Sequence, residues 1–231
     1  TVTDGRGEPV GGLPRDTFSV EEDGHRQEIR AFASGDVPLS LAVALDRSFS
    51  MTDDRLAYAA NAVQHLLREL RPSDQVMLLG IGSEVEPLVP LSVDHRAVYD
   101  ALNGLTRWGT TPLFDATVAA VSAIQQGTGR RALILITDGS NRYSSVEAGE
   151  MMARVRVQDV LVYTVTLQRV QPPVFVEFAA ATGARSFAVS DVRSIAPTLS
   201  GIARELRQQY LLGYTPSVPP GPRASWRSIT V

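Results

Sequence analysis

The chain has 231 residues, 44% hydrophobic and 20% charged, figures ordinary for one globular domain with a small appendage. A net charge of −3 gives no electrostatic footprint for nucleic acid or an anionic membrane. The absence of Cys excludes a disulfide framework and a thiolate zinc site, and no apolar run approaches the roughly 18 residues of a membrane span.

Residues 1–36 read as β structure with sharp turns at Asp4-Gly5 and Gly11-Gly12. Phe18-Ser19-Val20-Glu21 and Gln27-Glu28-Ile29-Arg30 flank Glu22-Asp23-Gly24-His25, and Asp-Gly between two such runs is a hairpin signal. A lone hairpin is unstable, so a further strand is expected from the alternating Trp226–Val231. The chain opens on Thr1 in strand-like sequence, not on a charged segment followed by a hydrophobic one, so any targeting signal would lie outside it.

Leu39–Leu45 is an apolar run without Gly or Pro, as a strand buried on both faces requires, and it ends in Asp46, Ser48 and Ser50. Asp53-Asp54 suit the N-terminus of a helix whose apolar face is Leu56, Ala60, Val63, Leu67 and Leu70. Gln75–Ile81 is the next strand, and Glu84–Val89, which contains Pro87, is predicted at a sheet edge. Asp94 caps a short helix through Leu102. The loop Gly104–Pro112 sets Thr111 just before a helix with Leu113, Thr117, Ala120, Val121 and Ile124 on one face. Ala132–Thr137 is a second apolar strand ending in Asp138-Gly139. Ser144-Ser145-Val146-Glu147 has the pattern of a capping box opening a helix through Val157. Val160–Val165 and Ser186–Val189 are further strands around a helix over Val174–Ala181, and Asp191 is predicted to cap a long final helix with the stripe Ile195, Leu199, Ile202, Leu206 and Tyr210.

Alternating strands and helices define an α/β, doubly wound, mainly parallel Rossmann-like sheet with helices on both faces, plus a small β appendage from the two terminal segments. The expected divisions are 1–36, a main domain over 37–209, and 210–231 packing with the first segment. In such a sheet the tips of neighbouring strands lie about 5 Å apart, so Asp46 and Asp138 can face one ion across the site. Ser48 and Ser50, spaced by two, and Thr111 from the intervening loop add hydroxyls. Oxygen donors without Cys or His favour Mg²⁺, Mn²⁺ or Ca²⁺ over zinc.

Asp46-x-Ser48-x-Ser50, Gly109-Thr110-Thr111-Pro112-Leu113 and Thr137-Asp138-Gly139 together resemble the metal-ion-dependent adhesion site of von Willebrand factor A-type domains, in the right order over roughly residues 37–209. The resemblance implies that Ser48, Ser50 and Thr111 approach the metal through hydroxyls, while Asp46 and Asp138 hold it mostly through water or hydrogen bonds. Thr111 is preferred to Thr110 because the family's Thr stands two residues before the Leu that opens the helix. The implied ion is Mg²⁺ first, the implied partner a protein presenting Asp or Glu, and the implied activity binding, not catalysis. In the flanks, Asp4-x-x-Gly7-x-Pro9-Val10-x-Gly12-Leu13, Phe18–Phe32 and Tyr210–Pro216 resemble a bacterial VWFA-related family first described in acidobacteria, which implies an extracytoplasmic location. The sequence departs from the common pattern at Phe49, where Gly or another small residue is usual; a ring beside the ion either narrows access or offers a partner an apolar contact, or, as is expected, packs under the loop. Trp108 is either a core anchor or part of a ligand rim.

Two other classes compete. A phosphoryl-transfer fold of the haloacid dehalogenase type needs a second Asp where Ser48 stands. A scaffold with a vestigial metal site is separated by cation titration. Nucleotide loops are poorly matched: Gly80-x-Gly82 lacks a third Gly, Gly127-x-Gly129-x-x-Ala132 precedes a strand, and all 22 basic residues are Arg, leaving no Lys for a phosphate loop. His25, His65 and His95 show no paired spacing. Asp115 is expected to favour its helix N-terminus.

Overall fold

The computed structural model describes residues 1–6, 9–35, 37–217 and 227–231. Gly7 of the N-terminal pattern, Asp36 at the first predicted boundary and Trp226 at the head of the predicted last strand lie outside the described residues. Two compact units are present. One comprises Thr1–Val37 with Arg204–Val231, and the other Pro38–Ala203; the sequence alone suggests 209/210 for the second division.

In the first unit, β1 (Val20–Glu22) and β2 (His25–Gln27) form an antiparallel hairpin. Its turn residues Asp23 and Gly24 both have positive φ, the conformation a two-residue hairpin turn of the right twist demands. The strand β3 (Ile29–Ser34) leaves this hairpin and pairs elsewhere.

The second unit begins with β4 (Leu39–Asp46), every residue of which is buried. It continues through α1 (Asp53–Glu69), β5 (Gln75–Ile81), β6 (Val85–Ser92), α2 (His95–Asn103), α3 (Leu113–Ala123), β7 (Arg130–Thr137), α4 (Ala148–Arg156), β8 (Leu161–Thr166), α5 (Pro173–Ala181), β9 (Ser186–Ala188) and the start of α6 (Ile195–Arg207), which runs across the division at 203/204. The sheet order is β6-β5-β4-β7-β8-β9, parallel except for β6, which carries Pro87 and Pro90 at the edge. Alternate residues of the central strands serve opposite faces. Ala42, Ala44, Leu133 and Leu135 pack in one cluster with Leu113, Ala116 and Ala120 of α3, Met151 and Val155 of α4, and Phe175 and Phe178 of α5. Leu41, Val43, Leu45, Ile134 and Ile136 are buried too, by the opposite parity on the other face, where α1 packs against β4. Burial on both faces is why these strands read as unbroken apolar runs.

Back in the first unit, β10 (Tyr210–Tyr214) pairs antiparallel with β3, and β11 (Ile229–Thr230) with β1. Phe18, Phe32 and Tyr210 pack ring to ring, with centroids 4.7–6.1 Å apart. The Tyr210 hydroxyl donates to the Val10 carbonyl and accepts from Leu13 N–H, both at 2.9 Å. The buried Glu22 carboxylate accepts from Arg227 at 2.9 Å, joining β1 to the segment that leads into β11.

Several expected details differ. Tyr210 belongs to β10, because α6 ends at Arg207. Asp191 caps a single 3₁₀ turn over Val192–Ser194 ahead of α6, its carboxylate accepting from Arg193 N–H. The capping box at Ser144–Glu147 does not form: α4 starts at Ala148, and the Ser144 hydroxyl donates to Asn141 Oδ1 at 2.6 Å while accepting from Phe114 N–H at 3.1 Å. A tertiary partner has taken the hydroxyl that a local cap would use.

Candidate functional site

The chain runs from β4 outward to β5 on one side and later returns to β7 on the other. The strand order therefore reverses between β4 and β7, and the crevice beyond their C-terminal ends is where open α/β sheets bind ligands. Asp46 ends β4 and Asp138 directly follows β7. Pairing of Leu45 with Ile136 sets Asp46 beside Thr137.

Asp46 is fully buried and held at both oxygens: Oδ1 accepts from Ser48 N–H at 2.9 Å and Oδ2 from the Thr137 hydroxyl at 2.7 Å. The Thr137 oxygen also accepts from Gly139 N–H at 3.0 Å, tying the tips of β4 and β7 together through one side chain. Burial pushes the Asp46 carboxyl above its ordinary range; the hydrogen bonds from Thr137 and Ser48 pull it back, and the negative charge of Asp138 adds to the rise. No cation opposes it: among the described residues Asp46 and Asp138 form no ion pair.

The hydroxyls of Ser48 and Ser50 lie 3.0 Å apart, with Ser48 buried and Ser50 exposed. Met51, fully buried, anchors the loop beneath them, and its N–H donates to Ser48 O at 3.1 Å. Thr111 is buried just ahead of α3, and its side chain makes no hydrogen bond to any described residue. Its carbonyl accepts from Leu113 N–H at 2.9 Å and from Arg142 N–H at 2.8 Å. Asp138 accepts from Ser140 N–H at 2.9 Å. Thr110, the less favoured Thr, donates its N–H to the Ser83 hydroxyl at 3.2 Å.

Backbone hydrogen bonds lace these loops into one surface. Arg47 N–H donates to Ile81 O at 2.9 Å, Trp108 N–H to Arg47 O at 2.6 Å, and Phe49 N–H to Gly109 O at 3.0 Å. A bidentate pair between Arg107 and Asp53, at 2.5 and 3.0 Å, ties the loop before Thr111 to the start of α1. Asn141 Oδ1 accepts from Leu113 N–H at 3.0 Å and so closes the N-terminus of α3.

Asp115 stands in the first turn of α3, as expected, and does more: its two oxygens accept from Ser145 and Val146 N–H at 2.9 and 2.8 Å, pinning the loop that follows β7. Phe49 does not pack under its loop. With its backbone fixed to Gly109, its ring projects outward and is 66% exposed. Trp108 is half anchor and half rim: its ring lies over the Arg47 guanidinium, 5.4 Å away, and 44% of it is exposed. Arg47 is therefore turned away from the crevice, towards Trp108 and Glu86, with which it forms an ion pair. Gly80 and Gly82 supply the room. A Cβ on Gly80 would stand 3.1 Å from Arg47 Nε, and one on Gly82 would overlap Trp108, only 2.7 Å from its carbonyl oxygen. Packing thus accounts for the Gly80-x-Gly82 pair. Sequence reasoning quoted Thr137 within the Thr137-Asp138-Gly139 motif but gave it no role, and it missed Asn141 and the Arg47–Trp108 stack. Only Thr137 left a trace, standing immediately before Asp138-Gly139.

The six-stranded, mostly parallel sheet flanked by helices is the fold of von Willebrand factor A-type domains. The family model described as von Willebrand factor type A domain matches residues 41–141, the stretch from β4 to the loop after β7. Solved structures agree on the fold. An aerotolerance-related membrane protein from Bacteroides fragilis is 17% identical, with 74% of this chain and 100% of that one covered and a TM-score of 0.59. BatB from Bacteroides thetaiotaomicron is 18% identical, with 72% and 98% covered and a TM-score of 0.58. A von Willebrand factor type A protein from Catenulispora acidiphila is 16% identical, with 78% and 46% covered and a TM-score of 0.63. No curated protein matches the sequence.

Proposed function

We propose that this chain is a metal-ion-dependent protein-binding module. A divalent cation, Mg²⁺ first and Mn²⁺ or Ca²⁺ as substitutes, is held by the hydroxyls of Ser48, Ser50 and Thr111, with Asp46 and Asp138 completing the cradle. Bound there, the ion supplies a Lewis-acid centre that takes up the Asp or Glu carboxylate of a partner. The observation that carries the reading is the set of oxygens at the β4/β7 crevice. Two neighbouring carboxylates have no counter-cation among the described residues, two hydroxyls are 3.0 Å apart, and a buried Thr111 side chain has no hydrogen-bond partner among them.

The donor set suits a hard cation. Among the described residues no three His, Cys, Asp or Glu side chains come together as a metal cluster, so the hydroxyls are indispensable to the proposal. Neutral hydroxyls leave much of the 2+ charge uncompensated, which is what attracts a further carboxylate.

An extracytoplasmic location rests on the flanking sequence patterns. Among the described residues no helix is long and apolar enough to cross a membrane.

Calorimetric titration with Mg²⁺ and Mn²⁺, paired with thermal melts in cation and in chelator, tests the proposal. Heat of binding and a higher melting temperature are expected, both abolished by Ser48→Ala with Ser50→Ala. At a cation concentration of 100 times Kd the stabilisation is about 2.7 kcal/mol. No heat and no shift in the intact protein would leave only a scaffold.

A further inference from the structure

Four aromatic side chains are exposed among the described residues, and three of them stand on the loops that surround the candidate cation site. Phe49, 66% exposed, lies between Ser48 and Ser50; Trp108, 44% exposed, precedes Thr110 and Thr111; Tyr143, 79% exposed, follows Arg142, whose N–H is bonded to Thr111. We propose that these three rings form an apolar rim that reads the partner, and that its occupant is a protein segment whose Asp or Glu is flanked by bulky apolar residues. The proposal rests on the cation reading above and specifies its partner.

Each ring is held where it can bind instead of collapsing onto the core. Phe49 has its N–H fixed to Gly109 O at 3.0 Å. Trp108 is clamped by its N–H bond to Arg47 O, by the Arg47 guanidinium 5.4 Å from its ring centre, and by the space that Gly82 leaves. Tyr143 occupies the left-handed region, with φ of 64°. That conformation costs a non-glycine residue about 1–2 kcal/mol, so folding alone would favour Gly there. A strained residue with an outward ring at a site loop points to use, not packing.

The occupant follows from chemistry. A central cation takes a carboxylate, and rings on the three surrounding loops offer exposed apolar area beside it. Trp and Tyr in such settings carry a disproportionate share of interface energy. A polar segment with a single acid would satisfy the centre and leave the rim unburied. A phosphate backbone would find only Arg142 unpaired on these loops among the described residues: Arg47 is paired with Glu86 and Arg107 with Asp53.

Selection from a library of random linear peptides on the intact protein in Mn²⁺ tests the proposal. The expected peptides carry Asp or Glu next to Leu, Ile, Phe, Tyr or Trp and are released by chelator. Their affinity should fall about tenfold or more in Phe49→Ser combined with Tyr143→Gly, as loss of interface anchors does. That variant touches no core residue; its Mn²⁺ heat should match the wild type and its melting temperature should be no lower, since Gly relieves the left-handed backbone at 143, and Trp108→Ala gives an independent second measurement. Chelator-sensitive acidic peptides without apolar neighbours, or affinities indifferent to all three substitutions, would overturn the rim and leave the cation reading standing. Apolar peptides lacking an acid and retained in chelator would overturn the cation-centred partner. Enrichment of nothing would overturn the rim as a peptide-reading surface.

Discussion

Replacing Thr137 by Val isolates the bond that couples the two central strand tips. The side chain is fully buried and Val keeps its branched shape, so the change removes one hydroxyl that donates to Asp46 Oδ2 at 2.7 Å and accepts from Gly139 N–H at 3.0 Å. Loss of a donor to a buried carboxylate is worth about 1.5–3 kcal/mol, and an amide left without its acceptor adds about 1. A total of roughly 2–4 kcal/mol should lower the melting temperature of a unit this size by about 5–15 °C. Differential scanning calorimetry in chelator, with no cation to mask the effect, is the assay. The loss should also depend on pH. Once Asp46 is protonated the missing bond is one between neutral groups, worth only about 0.5–1.5 kcal/mol, so the penalty shrinks on acidification. A shift under ~1 °C at neutral pH, or a penalty that stays constant into acid, would refute this account of how Asp46 is held.

In chelator, the raised Asp46 carboxyl makes the folded state bind a proton that the unfolded chain has already released. Stability attributable to this group is therefore intact below its ordinary value of 3.8 and is lost as pH rises from there through the raised folded value. Asp46→Asn should flatten that part of the stability–pH profile and, without cation, melt no lower than the wild type at neutral pH. Gly109→Ala should destabilise by about 1–3 kcal/mol from the left-handed backbone alone, because Gly109 has φ of 78°, and by more because an added Cβ would stand 2.2 Å from the Ser83 backbone nitrogen; thermal melts give the value. In the first unit, Arg227→Ala strands the buried Glu22, and limited proteolysis of the β1–β11 segment should accelerate. A fully buried pair would lose roughly 3–5 kcal/mol, which is an upper bound for this partly exposed Arg227. Adding Glu22→Gln should restore much of the protection.

How much of this was legible in the sequence follows from which forces act locally. Leu39–Leu45 and Ala132–Thr137 announce central strands because burial on both faces demands unbroken apolarity. The oxygen donors announce themselves because they interrupt those runs abruptly. What stayed hidden depends on register and on loop paths. No local pattern says that Thr137 will sit beside Asp46, that Asn141 will close α3, or that Asp115 will reach Ser145. Ser144–Glu147 has the right letters for a cap, yet Asn141 and Phe114 claim Ser144. No local pattern decides between the readings of Phe49; its backbone bond to Gly109 fixes the loop, and the loop's path turns the ring outward. Trp108 could be read either way, and its environment is in fact divided between the Arg47 guanidinium and solvent.

The antiparallel ladders of the first unit set how that unit would respond to tension. In both pairs, β1 with β11 and β3 with β10, the outward-leading chain ends emerge from the same end of the ladder. A pull along them therefore opens the rungs one after another like a zipper, not all together in shear. The rung that parts last is Ser34 with Tyr210, the one nearest along the chain to residues 38–203. A ladder loaded rung by rung in this way yields at lower force than one loaded in shear.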